Sequence, residues 1–173
     1  MKNYFELLGL PQTFAVDLVA LEDSYQALSQ IWHPDRIGQK TSQSRTEILL
    51  RSAELNQAYQ TLKDEQRRAH YLLRLHGVDI KEDQGSFASE DPDFLMEVLD
   101  FQERMLQAKD ANETKKIASQ LQDEIRKVLQ SISVRFSLLS QQKEKELPLL
   151  IKEVSRLRFY HRLLENVSSA ENE

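Results

Sequence analysis

Apolar residues recur at intervals of three and four along most of the chain, which is the spacing of one face of an α-helix. In the first half, this spacing predicts helices over residues 3–9, 17–32, 45–62 and 64–76. The two long helices carry the stripes Leu18, Leu21, Tyr25, Leu28, Trp32 and Ile48, Ser52, Leu55, Tyr59, Leu62. A polar loop separates them, so we expect an antiparallel helical hairpin with the two shorter helices on its flanks.

The same spacing continues in the second half and predicts helices over residues 93–109, 112–139 and 146–167. The longest of these carries the stripe Ile117, Leu121, Ile125, Val128, Ile132, Phe136 and Leu139. Pro148 is placed in the first turn of the last helix, where a missing backbone N–H costs little. Short connections between long amphipathic helices favour an antiparallel three-helix bundle.

A shift in composition separates the two halves. Residues 78–92 are polar and acidic and include Gly85, Ser86, Ser89 and Pro92. We therefore predict a first domain over residues 1–77, a linker over 78–92, a helical domain over 93–167 and a frayed tail over 168–173. The whole acidic excess of the chain lies after residue 77, so the two domains should have different surfaces.

Composition narrows the function classes. The chain has 173 residues with only 4 Gly and 4 Pro, which suits a mostly helical protein. A net charge of −5 argues against a general nucleic-acid or anionic-membrane binder. No apolar run approaches the roughly 18 residues of a membrane span, and the N-terminus shows no apolar signal segment. The chain contains no cysteine, so the cytoplasm is the expected compartment.

The sequence Trp32-His33-Pro34-Asp35 marks the end of the second predicted helix. Proline fixes its own φ near about −65° and moves the preceding residue out of the α region. The carboxylate that follows is thereby held at a rigid corner. An ordinary turn between two helices would also use Pro and Asp, so the tetrapeptide alone leaves both interpretations open.

Several segments together resemble a J domain, and then a particular J-domain family. The first set is YFELLGL at 4–10, His-Pro-Asp at 33–35 and LNQAYQTL at 55–62. Two further segments, RRAHYLLRLHG at 67–77 and FLME at 94–97, narrow the resemblance to one family of J-domain proteins. Over nearly its whole length, the chain resembles the HscB family, which comprises J-domain co-chaperones of iron–sulfur cluster assembly, in its bacterial type without a cysteine-rich N-terminal extension.

The resemblance implies an all-α, L-shaped protein in which a J domain is joined to a C-terminal three-helix bundle. It implies two protein partners, the DnaK-type chaperone HscA and the iron–sulfur scaffold protein IscU. His33, Pro34, Asp35 and Arg36 would bind the chaperone and stimulate its ATPase, while the bundle would deliver the scaffold. No cofactor, metal, nucleic acid or membrane is implied.

The helix after the linker has more apolar surface than one bundle face requires. Phe94, Val98, Phe101 and Met105 form one stripe, while Leu95, Leu99 and Leu106 form a second, with Met96 beyond it. The second stripe is either buried within the protein or exposed for a partner. The family resemblance favours a partner, and it assigns scaffold binding to Leu95, Met96, Leu99, Asp100, Glu103 and Phe159. Phe159 also fits a core position beside Leu157 and Tyr160.

The two alternatives to this function are an enzyme and a J-domain co-chaperone with another client. An enzyme is disfavoured because there is no Gly-rich phosphate loop, nucleophile elbow or Glu-x-x-His ligand pair. Without cysteine, the chain cannot ligate a cluster through thiolates. The remaining alternative is a J-domain co-chaperone with a different client protein.

Overall fold

The computed structural model describes residues 3–32, 42–80, 91–108 and 110–170, without the side chains of 42–45, 169 and 170. Within these ranges the chain forms α-helices and no strand, which confirms the all-α prediction. In chain order the helices are α1 (Tyr4–Leu7), α2 (Leu18–Ile31), α3 (Ser42–Lys63), α4 (Glu65–Leu75), α5 (Pro92–Gln107), α6 (Ala111–Leu138) and α7 (Lys143–Ala170). None of the helices in the described ranges has the length and apolar character needed to span a membrane.

The chain divides into two compact units, Met1–Tyr71 and Leu72–Glu173, and the division falls within α4. The predicted first domain extends to residue 77, beyond this division. Residues 81–90, the middle of the predicted linker, lie outside the described residues. The domain boundaries given by the sequence therefore stay predictions.

The first unit contains the predicted antiparallel hairpin of α2 and α3. The Tyr25 hydroxyl donates to Asn56 at 2.8 Å, and the Tyr59 hydroxyl donates to Glu22. An earlier residue of α2 thus meets a later residue of α3, as antiparallel helices require. This register places Leu18 opposite the last residue of α3, where little remains to cover it. Leu18 is accordingly exposed, although its stripe predicted a buried position.

Helix ends in this region follow standard capping chemistry. Asn3 and Glu6 form a capping box at the start of α1, and the Asp17 carboxylate accepts from the first turn of α2. Gly9 and Gly77 have φ of +66° and +88°. After each of these glycines the next residue donates back to the third-last residue of the helix, which is the Schellman arrangement. The left-handed conformation of Gly77 is the one that glycine adopts most readily after the end of a helix.

The second unit contains the predicted antiparallel three-helix bundle. The largest buried set lies on α6 and α7 and comprises Ile117, Leu121, Ile125, Val128, Ile132, Leu150, Val154, Leu157, Tyr160 and Leu163. Arg135 of α6 donates to Glu146 of α7 at 2.8 Å, and Ser131 donates to Glu153 at 3.1 Å. These contacts fix the antiparallel register of α6 and α7.

The last helix begins earlier than the sequence predicted. It starts at Lys143, so Pro148 lies inside the helix and not in its first turn. The proline removes the bond to the carbonyl of Glu144, four residues back. Both Pro148 and Glu144 are exposed, which lets water satisfy that carbonyl. The helix also continues to Ala170, beyond the predicted limit of 167.

A buried carboxylate ties the start of α5 to α7. Asp91 is only 9% exposed, and its Oδ2 accepts from Arg156 at 2.6 Å and from Lys152 at 2.9 Å. Burial by itself would raise the pKa of this carboxyl. The hydrogen bonds from Lys152 and Arg156 outweigh burial and lower the pKa below its usual value. Arg156 also lies over the Phe94 ring, 5.0 Å from its centroid, so the same guanidinium contacts both the Asp91 carboxylate and the Phe94 ring.

Leu55 is 1% exposed at the centre of the hairpin core. Leu55→Ala should lower the free energy of unfolding by about 2–5 kcal/mol, because it removes buried methyl groups and leaves a cavity. Urea unfolding followed by circular dichroism measures the change. Leu50→Ala on the same helix is the matched control, since Leu50 is 66% exposed and its loss should cost less than about 0.5 kcal/mol. Equal effects of the two variants would contradict the assigned register.

The Asp91 network predicts a pH-dependent stability. Asp91→Asn should lower the free energy of unfolding by about 1–2 kcal/mol at pH 7, because the two cations lose their charged acceptor. The lowered pKa makes this contribution complete above about pH 3.9 and removes it as the pH falls through the folded-state value. Urea unfolding at pH 7 and pH 3 should therefore show the difference from wild type narrowing at pH 3.

The control for this prediction is Asp123→Asn, because Asp123 pairs with Arg126 at 3.2 Å but both side chains are more than half exposed. Its effect should stay below about 1 kcal/mol. A difference between wild type and Asp91→Asn that is the same at both pH values would show that the charge of Asp91 is not what stabilises the α5–α7 contact.

Candidate partner-binding surface

The predicted chaperone-binding residues His33, Pro34, Asp35 and Arg36 lie outside the described residues. The described part of α2 ends at Ile31, and Trp32 caps it by donating its backbone N–H to Leu28 at 3.0 Å. Helix α3 begins at Ser42. The four residues thus belong to the segment between the two hairpin helices, and their role stays a prediction.

Helix α5 places apolar side chains on two different faces. One face is buried and contains Phe94, Val98 and Phe101, as expected for the core stripe, while Met105, the fourth residue of that stripe, is only half-buried. The second stripe is exposed, with Leu95 38%, Leu99 53% and Leu106 89% accessible, and Met96 beyond it is 70% accessible. The sequence left open whether the second stripe is buried or exposed, and in the described bundle it is exposed. We call Leu95, Met96, Leu99, Asp100 and Glu103 together the α5 surface.

The buried face of α5 is fixed by aromatic contacts to α7. The Phe94 ring meets the Tyr160 ring edge-on at a centroid distance of 5.6 Å, and Phe101 meets Tyr160 in the same way at 6.5 Å. The Tyr160 hydroxyl donates to Glu97 at 2.8 Å. Burial, followed by the hydrogen bond to Glu97, raises the pKa of Tyr160, so this hydroxyl stays protonated and keeps donating. The rotation of α5 about its own axis is thereby set.

Phe159 is half-buried and belongs to this aromatic group. Its ring meets Phe94 edge-on at a centroid distance of 5.7 Å. Phe94 is one of the core residues of α5, so Phe159 supports the helix that carries the α5 surface. The ring is partly exposed, and the predicted contact of Phe159 with the scaffold stays a prediction.

The two carboxylates of the α5 surface both have partners on the same helix. Asp100 pairs with Arg104 at 3.4 Å, and Glu103 accepts from the Gln107 amide at 2.9 Å. Arg104 also donates to Gln120 of α6 and lies over the Phe101 ring at 5.3 Å. The charge of Asp100 is therefore offset by a nearby guanidinium, whereas the partner of Glu103 in the described part of the chain is a neutral amide.

The contacts that orient this surface were missed by sequence reasoning. Asp91 lies far in the chain from both Lys152 and Arg156, and Glu97 lies far from Tyr160. The one available signal was Asp91 immediately before Pro92, which suggests a helix N-cap. The Asp91 side chain makes no capping hydrogen bond and binds the cations of α7 instead.

The α5 surface has the character of a protein-binding surface. Within the described ranges, no three side chains among His, Cys, Asp and Glu come together as metal ligands would. The surface consists of exposed Leu and Met with carboxylates at one edge. Flexible Met and aliphatic side chains bordered by charge are typical of surfaces that recognise another protein.

Both halves of the chain match known protein families. Residues 3–71 match the family model of the DnaJ domain, and residues 90–168 match that of the HSCB C-terminal oligomerisation domain. A co-chaperone protein HscB homolog of Shewanella oneidensis is 30% identical over 171 residues, covering 98% of this chain and 97% of that protein. A Vibrio cholerae homolog is 42% identical over 103 residues, which span 60% of this chain and 59% of the relative.

A solved structure gives the same result at the level of the fold. The chaperone HscB from Vibrio cholerae superposes with a TM-score of 0.84 at 28% identity, covering 99% of this chain and 98% of that chain. The J-domain match, the C-terminal match and the full-length relative agree with one another. The chain belongs to the HscB family of J-domain co-chaperones.

Proposed function

We propose that this protein is an adaptor that binds the iron–sulfur scaffold protein IscU and delivers it to the DnaK-type chaperone HscA in the cytoplasm. The J domain stimulates the ATPase of the chaperone, and the C-terminal bundle carries the scaffold. The observation that carries the proposal is the exposed α5 surface, which lies in the segment matched by the HscB C-terminal model. The protein performs no bond-making step of its own.

The scaffold is bound by apolar contact with one charged edge. Leu95, Met96 and Leu99 supply exposed apolar area whose burial against a partner is favourable by roughly 25 cal/mol per Å². Glu103 supplies a carboxylate at the edge, which suits a basic group on the scaffold. The aromatic contacts of Phe94 with Phe159 and Tyr160 hold α5 in place, so little ordering is needed when the partner binds.

The chaperone is bound through the corner of His33, Pro34, Asp35 and Arg36. The proline fixes the backbone, and the Asp35 carboxylate pairs with a cationic group on the chaperone. Such a contact accelerates ATP hydrolysis only if it is stronger in the hydrolysis-competent state of the chaperone than in the other states. The cluster itself is carried by the scaffold, since this chain has no cysteine to ligate it.

The corner is tested by His33→Gln in a steady-state ATPase assay of the chaperone, with this protein and the scaffold added singly and together. Wild type should stimulate, and the two additions should act synergistically. His33→Gln should reduce stimulation to near the basal rate with an unchanged circular dichroism spectrum. Gln60→Ala, at an exposed position of α3, is the control and should behave as wild type. Loss of folding in His33→Gln would mean that His33 is a structural residue of the turn.

The α5 surface is tested by the double variant Leu95→Ala, Met96→Ala. Removing two exposed side chains from a binding surface should weaken scaffold binding about tenfold or more, measured by calorimetry. Stimulation of the chaperone without scaffold should be unchanged, because the J domain is untouched. The control is Val134→Ala, an exposed apolar side chain of α6 outside the surface. Retained chaperone stimulation with no scaffold binding by wild type would instead select a different client.

A further inference from the structure

Leu106 is the most exposed of the large apolar side chains in the described part of the chain, with 89% of its surface accessible. A single exposed leucine is ordinary on a protein surface and needs no explanation by itself. Leu106 lies in the last turn of α5, and the preceding turns of the same helix form the α5 surface.

Leu106 lies on the same line as two residues of the α5 surface. At about 100° per residue, Leu95, Leu99 and Leu106 fall within about 40° of one another around the helix. Along the axis, Leu106 is about 10 Å from Leu99, at about 1.5 Å per residue. The three leucines thus form one exposed apolar strip about 16 Å long, which is short enough to lie within the roughly 800 Å² that a typical interface buries on each partner.

The charged side chains beside this strip already have hydrogen-bond or ion-pair partners within the bundle. Arg104 offsets Asp100 at 3.4 Å and is itself held by Gln120 of α6. The Gln107 amide donates to Glu103 at 2.9 Å, directly next to Leu106 in the chain. A partner at the last turn of α5 therefore meets the apolar Leu106 side chain and the neutral Gln107 amide, with the Glu103 carboxylate one turn earlier. Apolar contact is what Leu106 itself offers.

The fold has no evident need for Leu106. The core face of α5 is filled by Phe94, Val98 and Phe101, and the helix is anchored at its start by Asp91 and at its middle by Glu97. Leu106 contributes almost no buried area to the described bundle. Its replacement by a polar residue should accordingly leave stability nearly unchanged, which makes it suitable for a clean binding test.

We infer that Leu106 is a further contact residue for the scaffold protein and that the apolar strip Leu95–Leu99–Leu106 sets the footprint of that protein on α5. This inference rests on the proposed function. It adds one contact residue, Leu106, and the direction along α5 in which the scaffold extends. The scaffold covers α5 down to its C-terminal turn, and it presents an apolar area to the strip.

The experiment is a calorimetric titration of the recombinant IscU-type scaffold protein into the full chain and its variants. Leu106→Gln removes the apolar contact while keeping a residue of similar helix propensity, and Leu106→Met keeps an apolar side chain. Leu106→Gln should weaken binding about fivefold or more, by a similar factor at low and high salt, and Leu106→Met should stay within about twofold of wild type. Val134→Gln is the matched control, because it makes the same kind of change at another exposed apolar position and should have no effect.

The double variant Leu95→Ala, Met96→Ala in the same titrations separates this inference from the proposed function. Weakening by the double variant with wild-type binding by Leu106→Gln would overturn the inference and keep the function. No binding by wild type would overturn both. Sedimentation of each variant tests a second copy of this chain as the occupant of the strip: a Leu106→Gln variant that changes the oligomeric state but not scaffold affinity would also overturn the inference.

Discussion

The packing of Phe94 against α7 is the contact on which the functional arrangement of the bundle depends. Phe94 meets the rings of Phe159 and Tyr160 edge-on, and the Arg156 guanidinium covers its face while binding Asp91. Together these contacts fix both the position of α5 and its rotation. A helix in a three-helix bundle buries only one side. Once Phe94 faces α7, Leu95, Met96 and Leu99 must point away from the core.

This dependence explains why the polar groups around Phe94 matter. Asp91 and Glu97 both contact α7, one through Arg156 and Lys152 and the other through Tyr160. Each is a carboxylate whose position is set by a donor on the neighbouring helix. An aromatic cluster alone would tolerate sliding of α5 along α7, since apolar contacts are not directional. Hydrogen bonds with defined donors and acceptors remove that freedom, so the exposed leucines are presented in one register.

The helices and their buried faces were largely predictable because they follow from local periodicity. The stripe from Ile117 to Ile132 is buried as predicted, and the Gly77 turn follows from chemistry within a few residues. What the sequence could not supply depends on how distant segments meet. The Asp91–Arg156 contact joins residues 65 positions apart, and nothing in either residue's neighbourhood specifies the other. The exposure of Leu18 likewise depends on where the neighbouring helix α3 ends, whereas the interior position of Pro148 follows from the start of its own helix at Lys143.

The candidate site also combines features that the sequence predicts with features that only the packed bundle shows. Periodicity identified the second apolar stripe of α5, but exposure depends on the other helices and could be read only from the packed bundle. The family resemblance proposed particular residues on that stripe and omitted Leu106, which has no special sequence signal apart from its spacing. The contacts of Asp100 with Arg104 and of Glu103 with Gln107 each join residues four apart on one helix, so sequence spacing could have predicted them. A partner surface is thus defined by what the fold leaves exposed, and on α5 the exposed apolar side chains extend to the last turn.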